Sequence, residues 1–476
     1  MCIMRTPFYY LLFILLIQNF PANSQSFYFG NDLSYVNEME DCGVVYKEGN
    51  EPKDPYAIFA DHGSNLVRLR LWHTPAWYDD LNESSRYSDL ADVKRSITRA
   101  RAAGMDVLLD FHLSDNWADP GKQLVPAAWL PVVDDLPLLQ DSLYNYVYST
   151  LAELKAEGLL PELVQIGNET NKGILLSPED NATYTLEWDR NAALFNTGIR
   201  AVRDLEAATG DSIQVVIHAA GPDNADWIFD AFINNGVTDF DIMGISYYWA
   251  WHKPTTIDET GTIIRELREQ HPGYEVMIME TGYLWTTEAN DQANNIISET
   301  DPNYDPVSPE SQKAWLIDLT QSVLENGGLG VIYWEPAWVS SSCSTQWGQG
   351  SHQEHATFFD FDYNLLENGG IAWMEYPYVG LTDVRETGNE ATDISVSVDS
   401  LERRIRVNYR GLEAGVARVR LSSNDGRMLF QQEFRPQTGE GRYQLSLPAI
   451  NLSTGIYRVT VYQGSKLIKT VSLVWK

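Results

Sequence analysis

A (β/α)8 barrel followed by a small all-β sandwich is the fold class this 476-residue sequence predicts, and three observations predict it. Eight apolar runs of strand length alternate with amphipathic segments of helical length over roughly 360 residues, the span of one such barrel. Connections leading into the runs are short and marked by glycine ("AAGMD", "EGLLPE", "NNGVTD", "ENGGLG"), whereas those leaving them are long and carry Trp, Asp, His and Asn. Beyond residue 388 the composition changes: 13 Lys and Arg stand against 8 Asp and Glu in a chain whose formal charge is −32, and only one of 15 Trp remains.

Taken in order, residues 1–24 read as an export signal: Arg5, the apolar run "FYYLLFILLI", then "ANS", whose small residues Ala22 and Ser24 permit cleavage before Gln25. That run is too short to span a bilayer. No later segment is long and apolar enough for a membrane helix, so no membrane span is expected. Cys2 leaves with the signal, and the mature chain keeps Cys42 and Cys343.

Residues 25–388 are assigned to the barrel, with strands at "FYFGNDLS", "NLVRLRLW", "DVLLDFH", "LVQIGNE", "QVVIHAA", "FDIMGISYY", "EVMIMET" and "GVIYWEP". Segments such as "LADVKRSITRARAAG" and "DRNAALFNTGIRAVRDLEAATG" supply helices between them. A doubly wound open sheet is the alternative, but no early strand is followed by a Gly-rich phosphate fingerprint. Residues 389–476 alternate polar and apolar in six runs ("ISVSVDS", "RRIRVNYR", "ARVRLSS", "RYQLSLP", "IYRVTVYQ", "TVSLVW") separated by turn formers, the pattern of a β-sandwich.

The acidic balance excludes nucleic acid and other polyanions as partners, because binding them requires clustered Lys and Arg. Aromatic residues at 12% exceed ordinary packing needs and point to stacking surfaces for a neutral polymer.

Two apolar runs end on a carboxylate: Glu169 after the fourth and Glu280 at the end of the seventh. Either alone reads equally well as a solvated strand end. Together, at the C-terminal mouth of one barrel, they can bracket a reacting group, and retaining glycoside hydrolysis needs such a pair, one as nucleophile and one as acid then base. Arg70 is expected to hold Glu280 ionised, Asn168 to bond a sugar 2-hydroxyl, and Tyr247 to orient Glu280. His112, His218 and Trp334 complete the ring; the histidines read equally as structural groups or as sugar contacts, and Trp334 as a stacking floor.

The motifs "EMEDCGVVY", "LVRLRLW", "AAGMDVLLDFHLSDNWADPGKQ", "PAAW", "LVQIGNETNKG", "ISYYW", "METGY" and "GVIYWEPAW" run in order through residues 27–388, and this series resembles glycoside hydrolase family 53, the endo-β-1,4-galactanases. The resemblance implies a secreted, retaining, cofactor-free enzyme acting inside β-1,4-galactan of pectic arabinogalactan, with Glu169 as acid/base and Glu280 as nucleophile. It also implies that Trp117, Asp119, Trp249 and Trp347 line the cleft. A mannanase or cellulase on the same barrel, or a non-catalytic glycan-binding protein, is the rival reading. Some bacterial members bind Ca2+ after the seventh strand. Here Asp291 and Asn295 fit ligand positions, but Ala289 and Ala293 replace an acid and a His, and calcium takes six to eight oxygens.

The tail, especially "LSTGIYRVTVYQGSKLIKTVSLVW", resembles the C-terminal sorting modules of a Gram-negative secretion system. It implies export to the exterior or the cell surface of a Gram-negative bacterium and contact with secretion machinery, and a monomer is expected. Cys42 comes after the first strand and Cys343 after the eighth, neighbours in a closed barrel, so an oxidising compartment allows them to pair; two unrelated thiols are the alternative.

Overall fold

The computed structural model describes residues 27–81, 85–183 and 186–378, together with strand segments between residues 393 and 475. The export signal at residues 1–24 and the boundary at 388/389 lie outside the described residues. All eight expected barrel strands are present: β1 (Tyr28–Asp32), β2 (Leu66–Leu71), β3 (Asp106–Phe111), β4 (Leu163–Ile166), β5 (Gln214–Ala220), β6 (Ile242–Ser246), β7 (Glu275–Thr281) and β8 (Gly330–Tyr333). They pair in parallel and close through β1 on β8.

Helices α1 (Pro55–Asp61), α2 (Leu90–Ala102), α3 (Leu136–Ala156), α4 (Trp188–Thr209), α5 (Pro222–Asn234), α6 (Ile257–Gln270) and α7 (Pro309–Glu325) form the outer layer. Their starts are written locally. Asp54, Asp89 and Asp135 each accept a backbone N–H of the first turn, and Thr256 and Ser308 close capping boxes. After β8 the place of an eighth helix is taken by a 3-10 turn, Gly370–Glu375.

Closure depends on two glycines. A Cβ on Gly30 would lie 2.6 Å from Ile332, and one on Gly330 would lie 2.6 Å from the Tyr28 side chain, so the seam between β1 and β8 has no room for methyl groups.

Strand alternation builds the barrel interior in layers. Tyr28, Leu66, Leu108, Leu163, Val216, Ile242, Met277 and Ile332 pack as one apolar cluster. Two residues further along their strands stand Arg68, Asp110, Gln165 and His218, all fully or almost fully buried. The interior therefore turns from apolar to polar toward the C-terminal ends, where the polar groups meet one another instead of water.

In the tail, β9 (Asp393–Asp399), β10 (Arg404–Leu412) and β13 (Gly439–Ser446) form one antiparallel sheet. A second contains β12 (Met428–Phe434), β11 (Ala417–Ser423), β14 (Gly455–Gln463) and β15 (Lys466–Trp475). The strand missing from the sequence reading is β12, "MLFQQEF", which opens on an apolar run followed by polar residues and so lacks the period-two signature.

Candidate active site

A cleft of about 560 Å³ opens at the C-terminal mouth of the barrel, and both Glu169 and Glu280 line it. Glu280 lies within β7, paired in register with Ser246 of β6. Glu169 stands three residues beyond β4, where Gly167 (φ +77°) turns the chain and Glu169 itself takes φ +46°. A bulky residue in that conformation is strained and is held by its surroundings. The Thr170 N–H and hydroxyl both donate to the His218 carbonyl, and Gln123 Nε2 donates to the carbonyls of Asn168 and Glu169.

Arg68 is the hub of the floor. Its Nη1 donates to Glu280 Oε1 at 2.7 Å and Asp32 Oδ2 at 3.0 Å, its Nη2 to Asn168 Oδ1 at 2.7 Å and Asp110 Oδ2 at 2.9 Å, and its Nε to Gln165 Oε1 at 3.2 Å. One guanidinium is thus shared by three buried carboxylates. Burial raises Glu280 to about 7; Arg68 opposes the rise, while Asp32 and Asp110 add to it. Burial raises Glu169 further, to about 8, and the Glu280 carboxylate pushes the same way. Both carboxyls are raised by burial; Arg68 favours the ionised form of Glu280, and the Glu280 charge favours the protonated form of Glu169.

Two expected contacts with Glu280 are corrected. Arg70 does not reach it: its Nη1 donates to Glu335 Oε1 at 3.0 Å, and its guanidinium lies over the rings of Tyr35, Trp72 and Trp117. Arg68 and Arg70 share the inward face of β2 by alternation, and Arg68 lies one layer deeper, level with Glu280. Tyr247 also points away, donating to the Thr255 carbonyl and stacking on Trp315 in the helical layer. Its neighbour Tyr248 donates to Glu280 Oε2 at 3.2 Å. Ser246 and Tyr248 are two apart and both face the site, a signal the period of two carried.

Asn168 lines the cleft, but Arg68 and His218 approach its Oδ1 while its Nδ2 donates to the Ala118 carbonyl, so its amide is engaged by the protein. His218 is fully buried between Asn168 and Ser246, and burial and Arg68 hold its pKa well below the ordinary imidazole value. His112 Nδ1 sits 2.7 Å from Asp110 Oδ2, leaving Nε2 buried and without a partner. Although burial opposes it, His112 and Arg68 hold Asp110 below the usual carboxylate range.

Trp117, Asp119, Trp334 and Trp347 all line the cleft, joined by Trp338. Trp117 meets Trp334 and Trp347 at centroid distances of 5.7 and 6.3 Å, making an aromatic wall. Trp249 is not part of it; it packs against the core, and Trp251, two residues on along the same helical turn, lines the cleft instead. Asp32, Arg68, Asp110, Gln165, Ser246, Tyr248, Trp251 and Glu335 are the site residues the sequence reading passed over.

A calcium site at Asp291 and Asn295 is not supported. The Asp291 carboxylate oxygens accept the backbone N–H groups of Ala293 and Ser351, and Asn295 donates to Glu354, leaving its own buried Oδ1 as the one uncommitted oxygen of the pair. No group of three or more His, Cys, Asp or Glu is arranged to hold a metal among the described residues. Cys42 and Cys343 are bonded, with Cα atoms 5.6 Å apart. Cys42 comes directly after a helical turn, Val36–Asp41, that succeeds β1.

Comparison with known proteins identifies the family. The family model "Glycosyl hydrolase family 53" matches residues 28–368. The chain is 48% identical over 342 residues to an arabinogalactan endo-β-1,4-galactanase of Cellvibrio japonicus, covering 71% of this chain and 88% of the relative. It is 33% identical to an endo-β-1,4-galactanase of Bacillus subtilis, covering 70% of this chain and 75% of that one. Among solved structures, the family 53 catalytic domain of Ignisphaera aggregans superposes with a TM-score of 0.66 at 30% identity, over 75% of this chain and 98% of that domain. The chain accordingly belongs to glycosyl hydrolase family 53 and is a glycoside hydrolase.

Proposed function

We propose that the chain is an exported endo-hydrolase that cleaves internal β-1,4-galactosidic bonds of type I arabinogalactan by double displacement, with retention. The observation that carries this reading is the pair of buried carboxyls in one cleft with opposite surroundings. Glu280, gripped by Arg68 and Tyr248, is suited to stay ionised and attack the anomeric carbon. Glu169, raised by burial and by its neighbour's charge, is suited to protonate the bridging oxygen as the C–O bond breaks. In the second step ionised Glu169 takes a proton from the water that attacks the glycosyl ester, and Glu280 leaves. No step requires a cofactor.

The names of the Cellvibrio and Bacillus relatives support galactan as substrate, and the aromatic wall supplies faces on which sugars stack. Export is supported by the N-terminal signal and the disulfide, and passage beyond the inner membrane by the tail's likeness to sorting modules. A monomer is sufficient for the site, since every group named comes from one chain.

Release of oligosaccharides from β-1,4-galactan, and not from mannan or cellulose, is the expected result; no release from galactan overturns the substrate. Proton NMR of the first product should show the β-anomer, and the α-anomer first would overturn retention. Glu280→Gln should abolish turnover while galactan still binds. Glu169→Ala should cost roughly 10²–10⁴-fold on galactan yet spare glycosyl-enzyme formation from a substrate with an activated leaving group.

A further inference from the structure

The hydrogen bonds behind Glu169 have a direction that can be traced donor by donor. Gln165 Oε1 accepts from Arg68 Nε, which turns the Gln165 amide nitrogen toward Asp110 Oδ1 (3.0 Å) and the Gly167 carbonyl (2.9 Å); these two oxygens are nearer than Asn168 Oδ1 (3.2 Å) and His218 Nδ1 (3.3 Å), and we assign its two hydrogens to them. Asn168 is oriented likewise: its Nδ2 donates to the Ala118 carbonyl and its Oδ1 accepts from Arg68 Nη2. His218 Nδ1 lies 2.9 Å from that same Oδ1, so the ring nitrogen must be the donor, and Nδ1 carries a hydrogen. Burial and the nearby Arg68 keep His218 neutral, so its Nε2 bears a lone pair. Ser246 Oγ sits 2.8 Å from that Nε2 and 2.6 Å from Glu169 Oε1. A serine has one hydrogen for two acceptors. With it given to His218, only a protonated Glu169 can complete the chain, as donor to Ser246 Oγ.

We propose that Ser246 and His218 are positioning residues that hold Glu169 in its protonated form, with His218 as the terminal acceptor of the chain Glu169 O–H to Ser246 O–H to His218 Nε2. This rests on the reading of Glu169 as the acid/base. When Glu169 has passed its proton to the bridging oxygen, the Ser246 hydroxyl turns from His218 to the new carboxylate and leaves Nε2 unpaired. The ionised form then bears the cost of an unmatched buried acceptor, and that cost favours reprotonation. The other groups acting on Glu169 are Glu280, Asp119, Arg68 and the Tyr248 phenol, and those acting on His218 are Arg68, Asp110 and His112.

The alternative direction, His218 Nε2–H to Ser246 to a Glu169 carboxylate, makes the opposite prediction. Under our assignment His218→Phe frees the Ser246 hydrogen for Glu169, so the alkaline limb of kcat/KM on galactan should move to lower pH, by up to about one unit. The same variant should form glycosyl-enzyme from an activated aryl galactoside without that shift, because such a leaving group needs no acid. A limb that moves to higher pH overturns the proposal, and so does one that stays while the Glu169 carboxyl itself fails to shift. In the wild-type enzyme, ¹⁵N NMR should find His218 as the neutral Nδ1–H tautomer, and an Nε2–H tautomer or an imidazolium at neutral pH overturns it even if the variant does not fold. Titration of the ¹³C-labelled Glu169 carboxyl reads the same shift without catalysis. A downward carboxyl shift with no movement of the kinetic limb would spare the relay and instead overturn the acid/base reading beneath it.

Discussion

Arg68 shows how one side chain sets the chemistry of several others. It faces Asp32, Asp110 and Glu280 at once, and its attraction opposes the rise that burial imposes on Glu280. Weakening that contact should raise the Glu280 pKa. Arg68→Lys keeps one positive charge but loses the fork that serves several acceptors, so the acidic limb of the kcat/KM profile should move to higher pH. A pH series on galactan measures it. The reciprocal site is Arg70 with Glu335, both about 1% exposed or less, where cutting one partner strands a buried charge. Arg70→Met should therefore destabilise the barrel by about 3–5 kcal/mol, read by denaturant unfolding.

At the scale of elements, the cleft is made by the segments that leave the C-terminal ends of the strands. The segment after β8 carries Trp334, Trp338 and Trp347, and the disulfide from Cys343 to Cys42 ties it to the segment after β1. Tyr35 from that first segment stacks on Trp338 at 3.9 Å, so the bond and the ring pair fasten the same two loops. Replacing both cysteines with serine should cost about 2–4 kcal/mol of stability and loosen the aromatic wall, raising KM for galactan more than it lowers kcat. Melting curves and steady-state kinetics on the double variant check both.

At the scale of the whole molecule, the raised carboxyls act together. Glu38, Asp92, Glu169, Glu280 and Glu335 all lie above their ordinary values, chiefly through burial, while buried Asp110 lies below. A carboxyl raised in the folded state binds more protons there than in the unfolded chain, so stability is greatest below its unfolded pKa and falls as pH rises toward its folded one. Thermal unfolding should accordingly show a higher Tm near pH 5 than near pH 8. The tail belongs to the same scale. If residues 389–476 serve sorting alone, an enzyme ending near Gly388 should keep full activity on soluble galactan, and a marked loss would mean that the tail props the barrel or completes its cleft.

What the amino-acid sequence determined by itself is whatever physics acts locally. Apolar runs of strand length, capped helices between them and short glycine-marked returns are nearest-neighbour information, and they were enough for eight strands in order and for both carboxylates at their ends. Alternation along β2 puts Arg68 and Arg70 on one inward face, but the sequence reading took up only Arg70, and alternation cannot say which depth meets Glu280, because depth depends on how far each strand is staggered against its neighbours. The same period of two, traced along β6, did separate Tyr248 from Tyr247, and there the signal was present but unread. The direction of the hydrogen bonds around His218 was beyond any reading of the chain. It arises from Arg68, Asn168, Gln165 and Ser246 arriving from different strands and loops, and a donor can be assigned only when every acceptor around it is in place. Tertiary structure alone decided that, because proton affinity in a buried site depends on the whole surrounding set of charges and partners, which no single segment contains.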